Sequence, residues 1–296
     1  MNYVDFEYNG RRLSEYGCMV CSMLSSDDKE EKDIGNQIKF NTINYNNENN
    51  SNKFRLLSSG YENAYSTHLE ICKSVCNENG QTFFTDDEAV KIIRWLNQKK
   101  FHKFRMIYED GQFPNIYYNG SFNVKPIVLS GKIIGMSLDF TSDAPFGYYE
   151  PIQHDMDFSE ELPSFVNDTD TKCPMTGEYI LYDQSDEAGY IYPDCVEIEI
   201  LEDGNLMIHN SMDDEDVVIN NCVSGETITL NCKYRIIKSD SEHPGLYNDF
   251  NYHFLRIINN YDESDENDSF SKNIFTVSLK CRISFSYSPI AKIGVI

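Results

Sequence analysis

The hydrophobic positions of this chain change their spacing near its middle. In the second half they alternate with polar ones, the period of strands that bury one face. ETITLNCKYRII sets Ile228, Leu230, Cys232, Tyr234 and Ile236 against Thr227, Thr229, Asn231, Lys233 and Arg235, which predicts one half-buried strand. The closing segment holds the alternation longer. Phe275, Val277, Leu279, Cys281, Ile283, Phe285 and Tyr287 face one way, which predicts a single long strand. Shorter copies occur at Val196, Ile198 and Ile200 and around His253 to Ile258, separated by acidic turns such as DDED at 213–216 and DESDEND at 262–268. Several strands joined by such turns, with no convincing helix, predict an antiparallel β-sandwich.

The first half is mixed. TDDEAVKIIRWLNQ carries a helix signature: Thr85 and Glu88 form a capping box, and Asp86 and Asp87 suit the first turn. Ala89, Ile92, Ile93 and Leu96 follow the spacing of one apolar stripe, so one helix packs on a sheet. FHKFRMIY reads as a strand with Phe101, Lys103, Arg105 and Ile107 on one face and Phe104, Met106 and Tyr108 on the other. VLSGKIIGMSLDF reads as a hairpin turning at Ser130-Gly131, with Ile134, Met136, Leu138 and Phe140 on one face. SDAPFGYYEP, with two prolines, reads as an interdomain connector, and the polar stretches SSDDKEEKDIGNQ and NTINYNNENNSNK as long exposed arms or lids around one strand. The expected fold class is mainly β with one α-helix.

Length and charge divide the chain the same way. At 296 residues two domains are expected, 1–149 and 150–296. The formal net charge of −23 is shared unevenly: residues 1–149 carry 19 acids and 16 bases, whereas residues 150–296 carry 29 and 9, a net −20. A half so acidic repels nucleic acid and anionic lipid. No apolar run approaches the roughly 18 residues of a membrane span, so no membrane insertion is expected. MNYVDFEYNG has neither the basic nor the apolar region of a secretory signal, which points to synthesis and folding in a cytosol. Nine scattered cysteines then read as reduced thiols without a disulfide, and the sequons at Asn119, Asn167 and Asn267 carry no meaning.

Candidate chemistry is sparse. Cys18 and Cys21 form a CxxC and Cys72 and Cys76 a CxxxC, the spacing of a zinc or redox site, but both pairs lie in strand-like stretches. In a strand, positions 18 and 21 point to opposite faces. DESDENDSFSKN has Asn267 where a calcium loop needs Gly and Asn273 where it needs Glu. The six histidines fall in no metal-protease spacing, and no nucleophile elbow, phosphate loop or dinucleotide fingerprint occurs. No enzyme, cofactor or metal is expected. The basic and aromatic stretch Arg94 to Val124 lacks any helix-turn-helix, zinc-finger or RNP-type pattern, so no specific nucleic acid is expected either. It reads as a protein contact surface or as ordinary sheet surface.

Several motifs carry a resemblance. FEYNGRRLSEYG, WLNQKKFHKFRMI, NIYYNGSFNV and SLDFTSDAPFGYYEP, in that order, resemble the N-terminal domain of the distal tail protein (Dit) family of siphovirus-type, long-tailed phages of Gram-positive bacteria. GETITLNCKYRII, NDFNYHFLRIINNY and the closing strand resemble its C-terminal domain. The resemblance implies a β-barrel-like, ring-forming N-terminal domain followed by a galectin-like antiparallel β-sandwich. It implies a virion structural protein at the distal end of the tail. Six copies would close a homohexameric hub that joins tail tube to tail tip and passes DNA. Its partners would be the tail tube protein and a tail-associated fibre or lysin, with a tape measure or receptor-binding protein as further candidates. Under this reading Trp95, Lys99, Lys100, Lys103 and Arg105 are candidates for the subunit interface, and reversing Lys103 and Arg105 should weaken assembly while leaving the monomer folded. The competing reading is a carbohydrate-binding adsorption module for host cell-wall glycans, with Tyr190, Tyr192 and Tyr247 as aromatic platform. A cell-wall enzyme, the third reading, lacks any recognisable site.

Overall fold

The computed structural model describes residues 3–22, 38–45, 53–74, 81–111, 115–160, 177–260 and 271–292. The chain is mainly β and forms two compact units, residues 1–149 with 291–296, and residues 150–290.

The first unit contains β1 (Tyr3–Tyr8), β2 (Arg11–Arg12), β3 (Cys18–Cys21), β4 (Ile38–Tyr45), β5 (Lys53–Tyr61), β6 (Ser66–Lys73), α1 (Asp86–Leu96), β7 (His102–Tyr108), β8 (Ile116–Leu129), β9 (Lys132–Ser142) and β10 (Gly147–Tyr149). One antiparallel sheet runs β2-β1-β7-β8-β9-β6-β3, with β10 also paired to β8. The sheet curls until β3 approaches β1, which makes it barrel-like. Helix α1 starts where the sequence places it: Thr85 Oγ1 accepts from the Glu88 N–H at 3.3 Å, and Glu88 Oε2 accepts from the Thr85 N–H at 2.8 Å. The same carboxylate reaches the Lys73 ammonium of β6, both oxygens at 2.9 Å, and so ties helix to sheet.

The core of this unit is aromatic. Phe6, Tyr8, Phe104, Phe122 and Phe140 are fully buried and meet ring to ring. Such pairs contribute about 0.5–1.5 kcal/mol each beyond their buried area. The Phe140 ring lies so close to Gly120 that a Cβ there would sit 2.4 Å from it, so only glycine fits. The β8–β9 hairpin turns at Ser130 and Gly131, both with positive φ (51° and 78°), the geometry of the tight turn that matches strand twist.

The second unit contains β11 (Ile152–Asp157), β12 (Tyr179–Asp183), β13 (Gly189–Ile191), β14 (Cys195–Ile200), β15 (Gly204–Asn210), β16 (Val217–Cys222), β17 (Thr227–Asn231), β18 (Ile236–Ser239), α2 (Leu246–Asp249), β19 (Ile257–Asn259), β20 (Ser271–Val277) and β21 (Cys281–Tyr287). Two antiparallel sheets, β11-β21-β14-β17-β18 and β12-β20-β15-β16, contribute inward residues to one core, and β13 and β19 form a separate ribbon. The core is largely aliphatic, built on Val196, Ile198, Ile200, Leu206, Ile208, Ile228, Leu230 and Ile283.

Three sequence expectations need correction here. The alternation from Phe275 to Tyr287 is two strands: β20 belongs to one sheet and β21 to the other. At the crossing, Ser278 Oγ accepts from the Met207 N–H at 2.8 Å and the Lys280 N–H donates to Glu202 at 3.0 Å, so the backbone is satisfied without a ladder. Every second side chain still points into the sandwich, and periodicity cannot register the change of sheet. ETITLNCKYRII is likewise a hairpin, with Arg235 at φ 56° in the turn between β17 and β18. After that turn the phase flips: Tyr234 and Ile236 are exposed and Ile237 is buried. The half read as lacking a helix holds the single turn α2.

Candidate assembly surfaces

Strands β4 and β5 stand apart from the sheet of the first unit. They pair with each other over their length, with one register shift between Asn41 and Thr42, and with no other strand among the described residues. A two-stranded ribbon is marginal in water by itself, and this one exposes apolar residues. Ile38, Phe40, Ile43, Leu56 and Leu57 are each between 45 and 63 % accessible. Sequence reasoning assigned this region to polar connections around one strand, and only NTINYNNENNSNK overlaps it. SSDDKEEKDIGNQ lies outside the described residues. The overlooked signal is Ile38 and Phe40 in QIKFN, followed by Leu56 and Leu57 in FRLL. At the far end of the β8–β9 hairpin Val128 and Leu129 are also exposed.

The residues expected at a subunit interface divide into three groups. Trp95 is not at the surface. It is 6 % accessible, stacks on Tyr16 at 4.5 Å and on Phe6 at 5.8 Å, and its indole N–H donates to the Tyr8 carbonyl at 3.0 Å. It is a core residue that anchors α1, because its place on the helix falls inside the apolar stripe. Lys99 and Lys100 are exposed, next to an exposed Phe101, in the short link between α1 and β7. Lys103 and Arg105 are half-buried rather than exposed, because both faces of β7 are covered: Phe104 is buried on one side and Ile107 on the other. The Lys103 ammonium sits 3.9 Å from the centre of the Tyr117 ring, with the Arg105 guanidinium at 6.0 Å. Burial, then repulsion from Arg105, lowers the Lys103 pKa below its ordinary value. Reversing these two charges would therefore disturb the fold as well as any contact.

In the second unit, Tyr190 and Tyr192 meet at 5.5 Å and 78°. The structure places Tyr247 on α2, beside a cavity of about 360 Å³ lined by Lys238, Ser239, Ser241, His243, Gly245 and Leu246. His243 is deeply buried there, with Nδ1 2.7 Å from Glu226 and Nε2 3.3 Å from Asp249. No nucleophile is among its hydrogen-bond partners, and the pair of carboxylates reads as a clamp on the loop before α2.

The thiol motif resolves as strand geometry. Cys18, Met19 and Cys21 face Lys73, Cys72 and Glu70 across β3 and β6, and burial pushes the Cys18 thiol up to about 12. Among the described residues seven cysteines are free, and no group of His, Cys, Asp and Glu converges as a metal site. Cys76 and most of the calcium-loop segment, 262–270, lie outside the described residues. Among those residues no helix is long and apolar enough to cross a membrane.

Two family models match the chain: a phage tail protein N-terminal domain over residues 1–144 and a phage tail C-terminal domain over residues 164–287. No curated protein matches it. Among solved structures, the Dit (gp 19.1) protein of phage SPP1, described as a paradigm of the hub adsorption apparatus in phages infecting Gram-positive bacteria, superposes with a TM-score of 0.57. That match covers 97 % of this chain and 99 % of the other at 7 % identity, so it is a likeness of fold. Matched in both halves, the chain belongs to this two-domain family of phage tail proteins and has a Dit-like fold.

Proposed function

We propose that the chain is a distal tail hub in which six copies close a ring through their first units. One side of the ring meets the tail tube, the other meets a tail-associated fibre or lysin, and DNA leaves through the central opening. The observation that carries this reading is the apolar β4–β5 arm. Burying these half-exposed apolar side chains contributes about 1 kcal/mol each, and apolar surface gathered on one exposed ribbon suits a site of association. In a closed ring each subunit offers one surface to the neighbour ahead and a different one to the neighbour behind. An arm laid on the next subunit supplies such a contact. The number six follows the family resemblance and the likeness to a hub protein. The second unit, at a net −20 over residues 150–296, suits the outside of the ring, where salt screens its repulsion over about 8–10 Å. Negative-stain electron microscopy of the purified protein tests this. Six-fold rings with a central opening are expected, and a field of isolated chains at every concentration would overturn the ring. Antibody labelling of intact tails should mark the tip.

A further inference from the structure

We propose that the β4–β5 arm of one copy lies against the free end of the β8–β9 hairpin of the next, so that the ring closes head to tail through these two surfaces. This rests on the ring reading above and names the surface that receives the arm. The two surfaces belong to opposite ends of one strand. β9 runs from the turn at Ser130 and Gly131 to Ser142, whose N–H donates to the Tyr65 carbonyl at 2.9 Å. β6 starts beside that end, with Ser66 facing Thr141, shortly after β5 stops at Tyr61. The arm is therefore rooted about 30 Å from the hairpin turn, at roughly 3.3 Å per residue of strand. Unlike surfaces at opposite ends are what a closed ring takes, whereas two arms meeting each other would stop at a dimer.

The receiving surface is open on one side. β7 pairs with β8 only at Tyr118, Asn119 and Gly120, and β10 pairs with it only at Ile116 and Tyr117. Beyond Gly120, β8 has β9 on one side and no strand among the described residues on the other. Pro126, Val128 and Leu129 are exposed on that stretch, the last two at 59 and 62 %. The cations beside it are already engaged: the Lys125 ammonium donates to Asp139 at 2.9 Å, and that of Lys132 lies 4.2 Å from the centre of the Phe83 ring. What the hairpin end offers a partner is apolar.

The arm matches that surface. Asn41 faces Ser58 and Thr42 faces Leu56, so Leu57 is the extra residue of a bulge, a device that re-aims a side chain and interrupts pairing. Leu57 is accordingly the most exposed of the arm's apolar residues, at 63 %. On the other side Pro126 lacks the N–H that a ladder needs. The contact is therefore side chain on side chain rather than one continuous sheet. Both surfaces occur once in every chain, so each copy that offers an arm also offers a hairpin end, and a second copy covers both without another protein.

Two variants of the full-length chain and their mixture test this by light scattering. The arm variant carries Phe40→Asp and Leu57→Asp, and the hairpin variant Val128→Asp and Leu129→Asp, all at exposed positions. Circular dichroism checks that each folds, and Val128→Ser with Leu129→Ser, which adds no charge, should weaken assembly in the same direction. Each Asp variant alone should stay at one chain mass. When they are mixed, the intact arm of the hairpin variant meets the intact hairpin of the arm variant, and the pair should reach twice the 34.3 kDa chain and go no further. A hairpin variant that still forms the native ring would overturn the proposal and leave the ring reading standing. Two monomeric variants whose mixture stays at one chain mass would overturn it as well. A native chain that never assembles would overturn the ring reading itself, and this contact with it.

Discussion

The two units are both built from antiparallel sheet and both bury aromatic residues, yet among the described residues only the second leaves tyrosines open to solvent as well. The first unit buries its rings: Phe6, Tyr8, Trp95, Phe104, Phe122 and Phe140 form its core, and what it exposes is aliphatic and phenylalanine surface on the β4–β5 arm. The second unit fills its core mainly with Val, Ile and Leu and leaves Tyr182, Tyr190, Tyr234, Tyr247 and Tyr252 more than half accessible. Apolar surface without a polar handle favours exclusion of water by another protein surface. Tyrosine presents an apolar ring together with a hydroxyl and suits wet, reversible contacts. The difference teaches where to look for assembly: in the first unit, where the exposed apolar surface carries no polar handle.

The sharpest way to break that comparison is to charge the arm. Phe40→Asp together with Leu57→Asp should abolish assembly and leave the melting of the subunit almost unchanged, as read by light scattering and calorimetry side by side. Next in size is Trp95→Ala, which removes a buried indole and its hydrogen bond to the Tyr8 carbonyl. It should cost about 3–5 kcal/mol, and calorimetry should show the loss in one transition, that of the first unit, with the other unmoved. Glu88→Gln removes the carboxylate that caps α1 and pairs with Lys73, whose side chain is 5 % accessible. Because Glu88 is itself partly open to solvent, about 1–2 kcal/mol is expected.

The pH dependence of that variant follows from its sign. The hydrogen bond from Lys73, and then those from Thr85, hold the Glu88 carboxyl below its ordinary 4.5. A depressed carboxylate contributes stability above its unfolded pKa and loses it as pH falls through the folded one. The gap between native protein and Glu88→Gln should be full at pH 7 and close only as acid takes the carboxyl through its lowered folded pKa, measured by urea titration. The smallest effect is expected from Lys99→Glu with Lys100→Glu. Both side chains are exposed, so folding should change by no more than about 0.5 kcal/mol, and a drop in assembly would then report on contact alone. The same reversal at Lys103 and Arg105 is not diagnostic, since burial against Tyr117 ties those residues to the fold.

Local rules were readable where local chemistry decides the structure. The capping box at Thr85 and Glu88 and the Ser130-Gly131 turn appear where their residues place them. Alternation identified the sandwich and most of its inward residues, because burial on one side leaves that mark whatever sheet a strand joins. For the same reason it could not see β20 and β21 part company at Ser278. Lys103 and Arg105 were read as interface residues because a charged residue normally faces water, whereas here the Tyr117 ring lies against both side chains. The contacts of Arg235 with the Tyr192 ring and of Arg256 with the Tyr190 ring escaped notice, since partners so far apart in sequence are united only by the fold. The arm was obscured by its asparagines, which hid short apolar strands within a polar composition.

The central claim is that the first unit assembles through its arm, and solution mass tests it most directly. Light scattering of the full-length protein across a concentration and salt series should give six times the 34.3 kDa chain, stable to salt because the contact is apolar, and a single chain mass for Phe40→Asp with Leu57→Asp. A native protein that stays at one chain mass throughout, or an arm variant that still assembles, would contradict the account.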